Sequence, residues 1–312
     1  MTGTRAHTLF SFGTLMDERV QTALFGRGVP TTPASLAGHT TRPLPITDRA
    51  VIAASGLDVH LTLERRFGAS VEGSVLRLTD GELAAADAYE VDDYIRRRVR
   101  LTSGETVWAY LDAKPLRAAA RIVIVGDSIA YGRCDPRGGW AARLAATHIA
   151  RNEADHRVFN LAIPGSTLTD IAEQTPGLLD ARLPDTLLVA AGINDSARPL
   201  APSRTGHDAA PHLTDRLDAL AAAALDRNAR LVVAGPAWID EERTRDHEGL
   251  CFTRERALGL RESLRAWAED NHVDFLDMWE PLRDSPELLA DGLHPTPEGH
   301  AALHRHLEGL GH

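Results

Sequence analysis

Cysteine is nearly absent from this chain. Cys134 and Cys251 are its only two in 312 residues, and no C-x-x-C spacing occurs, which excludes a disulfide framework. Positive charge is also scarce. Lys and Arg number 34 against 44 Asp and Glu, a net charge of -10, which argues against nucleic acid or an anionic membrane as partner. Lysine is reduced to Lys114, and with so much arginine and alanine this reads as the coding bias of a GC-rich genome. No segment approaches the ~20 apolar residues of a membrane helix. Met1–His7 has no apolar region of a secretory leader, and Leu9–Gly13 is too short for one, so a cytoplasmic protein is expected. Gly126 and its neighbours do not complete a G-x-G-x-x-G, so no dinucleotide is indicated.

What is present has two rhythms, as a chain of this length leads one to expect. Up to residue 113 the pattern is β-rich with short helices. His7–Phe12 reads as a first strand, Gly13–Leu15 as a loop, and Asp17–Phe25 as a helix stopped by Gly26. Asp58–Leu63 and Ser70–Leu78 alternate apolar and polar residues as half-buried strands do. Thr79-Asp80-Gly81-Glu82 carries helix-start chemistry, and strands are expected around Tyr94–Leu101 and Thr106–Leu111. Residues 114–119 read as a linker. From 120 to 312, short apolar strands (Ile122–Val125, Val158–Leu161, Thr186–Ala190, Arg230–Val233, Val273–Leu276) alternate with helical stretches. Those stretches are Trp140–Ile149, Leu168–Gln174, Asp208–Leu225, Thr253–Asp270 and Pro297–Leu310. That alternation predicts an α/β fold, a parallel sheet covered on both faces, with sites at the C-terminal strand ends.

Four segments of the second domain carry reactive chemistry. Gly126-Asp127-Ser128-Ile129 follows the first strand, Pro164-Gly165 the second, and Gly192-Ile193-Asn194-Asp195 the third, while Asp291-Gly292-Leu293-His294-Pro295 lies near the C-terminus. A serine hydroxyl is a poor nucleophile without a base, and His294 is the candidate. Asp291, three residues earlier, can fix the imidazole tautomer. The N–H groups of Ser128 and Gly165 and the Asn194 amide are available to an oxyanion. These blocks, in this order, resemble the SGNH (GDSL-like) hydrolases, and Gly138-Gly139-Trp140 with Leu144 fits the helix after the first block. The resemblance covers about Arg121 to the C-terminus. It implies a three-layer α/β/α, flavodoxin-like domain with Ser128 as nucleophile, His294 as base and Asp291 as its partner. Ser128, Gly165 and Asn194 would be oxyanion donors, with no metal or cofactor. Whether the acyl group passes to water or to another acceptor stays open.

In the first domain, Phe12-Gly13-Thr14-Leu15 offers backbone N–H groups to an anionic ligand. Asp87-Ala88-Tyr89-Glu90 ends a predicted helix and Tyr94-Ile95-Arg96 follows. These segments resemble the γ-glutamyl cyclotransferase (AIG2-like) family. The resemblance implies a small β-barrel with appended helices, Glu90 as general base, and Phe12, Gly13, Thr14 and Leu15 as the substrate loop. Phe12 stands where that family has Tyr, and Val91 where it often has Gly. The implied activity is release of 5-oxoproline from a γ-glutamyl amide.

Two expectations therefore stand side by side. One is a bifunctional enzyme acting on a small ester or amide, in one version γ-glutamyl-bearing. The other is a single esterase or acyltransferase whose first domain is a binding or dimerisation module, which leaves a homodimer open. His300, His304 and His306 are expected on a solvated helix face, and Cys134, which follows the nucleophile loop, in packing with a place lining the cleft as the alternative. His247-Glu248 lacks the second histidine of a zinc-protease helix, and Arg96–Arg98 alternates across a strand.

Overall fold

The computed structural model describes residues 6–45, 52, 59–201 and 213–311, and divides into compact units Met1–Ala118 and Ala119–His312. In the first unit, β1 (His7–Ser11), β2 (Thr31–Pro45), β3 (Val59–Leu78), β4 (Tyr94–Arg100) and β5 (Thr106–Asp112) form one sheet in the order β2-β3-β1-β5-β4. Only the β1–β5 pair is parallel. Thr102 brings the two edges together, donating its N–H and hydroxyl to the Ser35 carbonyl on β2.

Period-2 alternation sorts the strands' side chains between two cores. Leu9, Leu76, Leu78, Trp108 and Tyr110 face the helices Glu18–Phe25 and Asp80–Tyr89. Their neighbours Phe10, Val75, Ala109 and Leu111 pack with Leu36, Leu63 and Val99 on the other face. Asp17 caps the first helix through the Arg19 N–H, and Thr79 with Glu82 closes a capping box on the second.

Three local expectations need correction. β3 is one strand of 20 residues where two shorter ones were expected; Asp58, the expected start, lies outside the described residues. Its partner β2 was not anticipated. Pro33, Pro43, Pro45 and Gly38 make that stretch read as loop, yet β2 is an edge strand, where a missing N–H is tolerated. Gly13–Leu15 was expected as a loop, and Thr14–Met16 forms a 3-10 turn.

The second unit holds β6 (Arg121–Gly126), β7 (Arg157–Asn160), β8 (Thr186–Ala190), β10 (Arg230–Ala234) and β12 (Asp274–Leu276), all parallel, in the order β12-β10-β8-β6-β7. Two short strands, β9 (Arg198–Pro199) and β11 (Leu250–Cys251), pair as a separate ribbon. The helices Leu168–Leu179, Leu213–Asp226 and Arg254–Asp270 bury apolar residues against one sheet face. The helices Gly139–Arg151 and Pro297–Gly311 pack together as a further pair. This is the expected α/β architecture. The helix expected from Asp208 begins at Leu213 among the described residues, and 208–212 lie outside them. The helix expected to stop at Gln174 runs through Pro176 to Leu179.

Strand order reverses at β6, whose neighbours are β7 and β8. In such sheets the crevice beyond the strand ends at this reversal is the usual ligand site. Ser128 sits two residues beyond β6.

Candidate active site

The turn after β6 is built by its own side chains. A Cβ on Gly126 would lie 2.4 Å from the Ala190 carbonyl oxygen, so only glycine lets β6 approach β8 this closely. Asp127 caps the short helix Ser128–Tyr131 by accepting the Ile129 N–H at 2.9 Å. Burial pushes the Asp127 carboxyl up to about 6. Sequence reasoning quoted this residue only as part of its block and missed the cap.

Ser128 Oγ lies 2.8 Å from His294 Nε2, and His294 Nδ1 lies 2.7 Å from Asp291 Oδ2. The other carboxylate oxygen of Asp291 accepts the N–H groups of His294 and Leu293 at 2.8 and 3.0 Å. Burial works against ionisation of Asp291, but these three donors outweigh it and hold its carboxyl well below the usual range. The chain from hydroxyl to imidazole to carboxylate is continuous across 166 residues of sequence. It can carry a proton off the hydroxyl and stabilise the resulting imidazolium.

The loops after β7 and β8 are tied to the same turn. The Ile163 N–H donates to Gly126 O at 3.0 Å, and Asn160 Nδ2 donates to Ala130 O at 2.9 Å. Gly165 takes a left-handed φ of 85° that favours glycine. Asn194 Nδ2 donates to Ser166 O at 2.9 Å, which joins the two loops and leaves its second amide hydrogen for another acceptor. Asp195 accepts the Leu168 N–H at 3.0 Å, at the start of the helix after Gly165. The loops carrying Gly165 and Asn194 thus follow β7 and β8, the two strands that flank β6.

Around this core stand groups the sequence reading set aside. His247 Nε2 lies 3.9 Å from Asp291 Oδ2, and Arg133 pairs with Glu248 at 2.8 Å. Burial pushes the Cys134 thiol up, and the Asp291 charge adds to the effect. The solvated face expected for the C-terminal histidines is wrong for two of them. His300 and His304 are buried, because their helix packs on Gly139–Arg151. His300 Nδ1 accepts the Trp140 N–H at 3.3 Å, and its Nε2 faces Arg133 O at 3.0 Å.

The first unit has its own cavity, of about 360 Å³, lined by Phe12, Gly13, Thr14, Leu15, Glu90, Tyr94 and Tyr110 among others. The expected loop and the expected acid therefore share one pocket. Glu90 ends the helix Asp80–Tyr89, and burial, reinforced by the Asp87 charge, pushes its carboxyl up to about 7. Asp87, quoted in the sequence only as part of a motif, accepts the Tyr110 hydroxyl at 2.8 Å and is clamped by Arg96 at 2.8 and 3.1 Å. Tyr89 donates to the Thr14 hydroxyl at 3.3 Å, joining the helix end to the loop. Arg96 and Arg98 alternate to one face of β4 and stack on Trp108 at 4.5 and 4.4 Å. Asp17 and Arg19 also line the pocket and pair with each other at 2.8 Å. No motif flagged them.

Residues 124–302 match the model of the GDSL-like lipase/acylhydrolase family. Residues 9–127 match that of the AIG2-like γ-glutamyl cyclotransferases. Among curated proteins, esterase TesA of Pseudomonas aeruginosa is 34% identical over 88 residues, which is 28% of this chain and 43% of TesA. The match thus spans less than half of that relative. Among solved structures, a candidate GDSL-like lipase of Parabacteroides merdae aligns with a TM-score of 0.50 at 18% identity, over 62% of this chain and 95% of its own; this likeness is one of fold. LAE5, an α/β hydrolase from the metagenome of Lake Arreo, aligns at a TM-score of 0.49 and 23% identity, over 62% and 96%.

Proposed function

We propose that this chain, which belongs to the GDSL-like lipase/acylhydrolase family, cleaves small carboxylic esters through an acyl-enzyme on Ser128. The observation that carries the reading is the unbroken hydrogen-bonded line from Ser128 Oγ through His294 to Asp291. Ser128 Oγ attacks the ester carbonyl carbon as its proton passes to His294 Nε2, and Asp291 stabilises the imidazolium. The N–H groups of Ser128 and Gly165 and the free hydrogen of the Asn194 amide receive the oxyanion. Collapse breaks the C–O bond, and His294 returns the proton to the departing alcohol. Water, deprotonated by the same imidazole, then releases the acid.

The test is a fluorophosphonate probe followed by peptide mass analysis. One adduct per chain on the Ser128 peptide, abolished in His294→Ala, is expected. An adduct elsewhere, or none, overturns the assignment. Adding an amine or alcohol acceptor during ester turnover separates hydrolysis from acyl transfer by its products.

A second activity is favoured by a separate observation, the placing of Glu90 with Gly13–Leu15 around one pocket and its carboxyl near 7. In this reading the first unit releases 5-oxoproline from γ-glutamyl amides. Glu90 takes a proton from the substrate's α-ammonium, and the freed amine attacks the side-chain carbonyl. The C–N bond to the leaving amine then breaks as Glu90 returns the proton. The loop Phe12–Leu15 holds the glutamyl carboxylate and the carbonyl oxygen. Phe12 supplies no hydroxyl there, which leaves Tyr94 and Tyr110 as the phenols lining the pocket. A cytoplasmic setting, in which the free thiols Cys134 and Cys251 stay reduced, completes the reading.

A further inference from the structure

We propose that Cys134, Asp291 and His294 form a binding site for a thiophilic divalent cation of the zinc class, and that an occupied site silences Ser128. The Cys134 sulfur, an Asp291 carboxylate oxygen and a His294 ring nitrogen all lie within 4.8 Å of one another. In a tetrahedral zinc site with bonds of about 2.0–2.3 Å, donors stand about 3.3–3.8 Å apart. Closing the triangle therefore asks the donors to approach one another by at most about 1.0–1.5 Å by that geometry. Thiolate, carboxylate and imidazole are the donor types zinc takes.

Two further observations point the same way. His247 Nε2 is buried without a hydrogen-bond partner among the described residues. It lies 3.9 Å from Asp291 Oδ2, and the His247 ring is 5.6 Å from that of His294. A nitrogen so placed is the natural fourth donor. Cys134 itself holds a φ of 70°, a left-handed conformation that a β-carbon resists. The Gly132–Gly138 turn fixes it there, with Asp135 N donating to Gly132 O and Gly138 N to Asp135 O. Backbone strain of this kind collects at ligand-binding positions. Cys134 is exposed while His294 is buried, so a cation can enter from the sulfur side.

On binding, the Cys134 thiol releases its proton to solvent as the sulfur–metal bond forms, and the thiolate and Asp291 together offset the dipositive charge. His294 gives the cation the lone pair of its unprotonated nitrogen. It can then no longer accept the Ser128 proton, and ester turnover stops.

The experiment titrates the full chain with zinc chloride in a non-chelating buffer, following bound zinc by equilibrium dialysis and turnover with p-nitrophenyl acetate. One zinc per chain is expected, with inhibition reversed by EDTA. Cys134→Ser should keep its metal-free turnover and weaken both binding and inhibition at least tenfold. Equal zinc binding and inhibition in wild type and Cys134→Ser overturn the proposal. Cadmium supplies a second measurement in case Cys134→Ser folds poorly. A thiolate-to-cadmium charge-transfer band should form in Cys251→Ser, where Cys134 is the only thiol, and its absence there refutes the site. Inhibition rests on the esterase reading, whereas the charge-transfer band does not. Zinc binding by a chain with no metal-free turnover would count against that reading and leave the site standing.

Discussion

Replacing Asp291 with Asn changes one atom type at the centre of the serine site and keeps its shape. In the native chain, one carboxylate oxygen accepts the His294 and Leu293 N–H groups at 2.8 and 3.0 Å, and the other faces His294 Nδ1 at 2.7 Å. An Asn carbonyl can serve the two backbone donors, so its NH2 must face the ring. A donor opposite Nδ1 selects the tautomer with hydrogen on Nε2, and that hydrogen then points at Ser128 Oγ, 2.8 Å away. The imidazole can no longer accept the serine proton. The expected loss in kcat is on the order of 10⁴-fold, equivalent to about 5.5 kcal/mol of transition-state stabilisation. The assay is p-nitrophenyl acetate turnover, with a thermal melt to show that the variant is folded. KM should change little, because no substrate contact is touched. A folded Asp291→Asn protein that keeps more than a tenth of wild-type kcat refutes the reasoning, and would leave His247 as the group to investigate.

Three further outcomes follow from the same geometry. Gly126→Ala pushes a methyl to 2.4 Å from Ala190 O and 2.7 Å from the Ala130 Cβ, at the strand end carrying Ser128. Overpacking of this kind costs about 1–3 kcal/mol, so a lower urea midpoint with a fall in ester turnover is expected, and an unchanged midpoint speaks against the close packing. Glu90 must be deprotonated to accept a proton, so 5-oxoproline release should rise with pH through about 7. Removing the neighbouring like charge in Asp87→Asn should move that rise to lower pH, and a rise that stays put or moves upward contradicts the electrostatic account. Arg230→Met strips the buried Asp274 of a guanidinium held at 2.6 and 2.8 Å. Losing one side of a buried pair costs about 3–5 kcal/mol, which chemical denaturation should register as an early midpoint.

The second unit was the more legible, because its central strands β6, β8 and β10 are buried on both faces and write themselves as apolar runs. Each reactive residue there follows such a run or sits in a short Asp-x-x-His block, so local sequence carried global geometry. The first unit hid its longest pairing. Prolines 33, 43 and 45 masked β2, since a sequence does not say which strand will be an edge. His300 and His304 misled for a related reason. Polar letters on an amphipathic helix look solvated until Trp140 N–H and Arg133 O meet His300, and the Thr147 hydroxyl on the neighbouring helix meets His304. The closeness of Cys134 and His247 to Asp291 is purely tertiary, and no spacing in the chain encodes it. Glu90 was visible as a motif residue, but the pocket around it is assembled from four separated segments.

The central claim is that one chain holds two independent acyl-cleaving sites, and crossed single variants test it most directly. Ester hydrolysis and 5-oxoproline release from a γ-glutamyl amide are measured in wild type, Ser128→Ala and Glu90→Gln. The account predicts that Ser128→Ala loses only the first reaction and Glu90→Gln only the second, each by at least about a hundredfold, the scale of a lost nucleophile or general base. A Glu90→Gln protein that still releases 5-oxoproline at the wild-type rate, or a Ser128→Ala protein that still hydrolyses the ester, would contradict it.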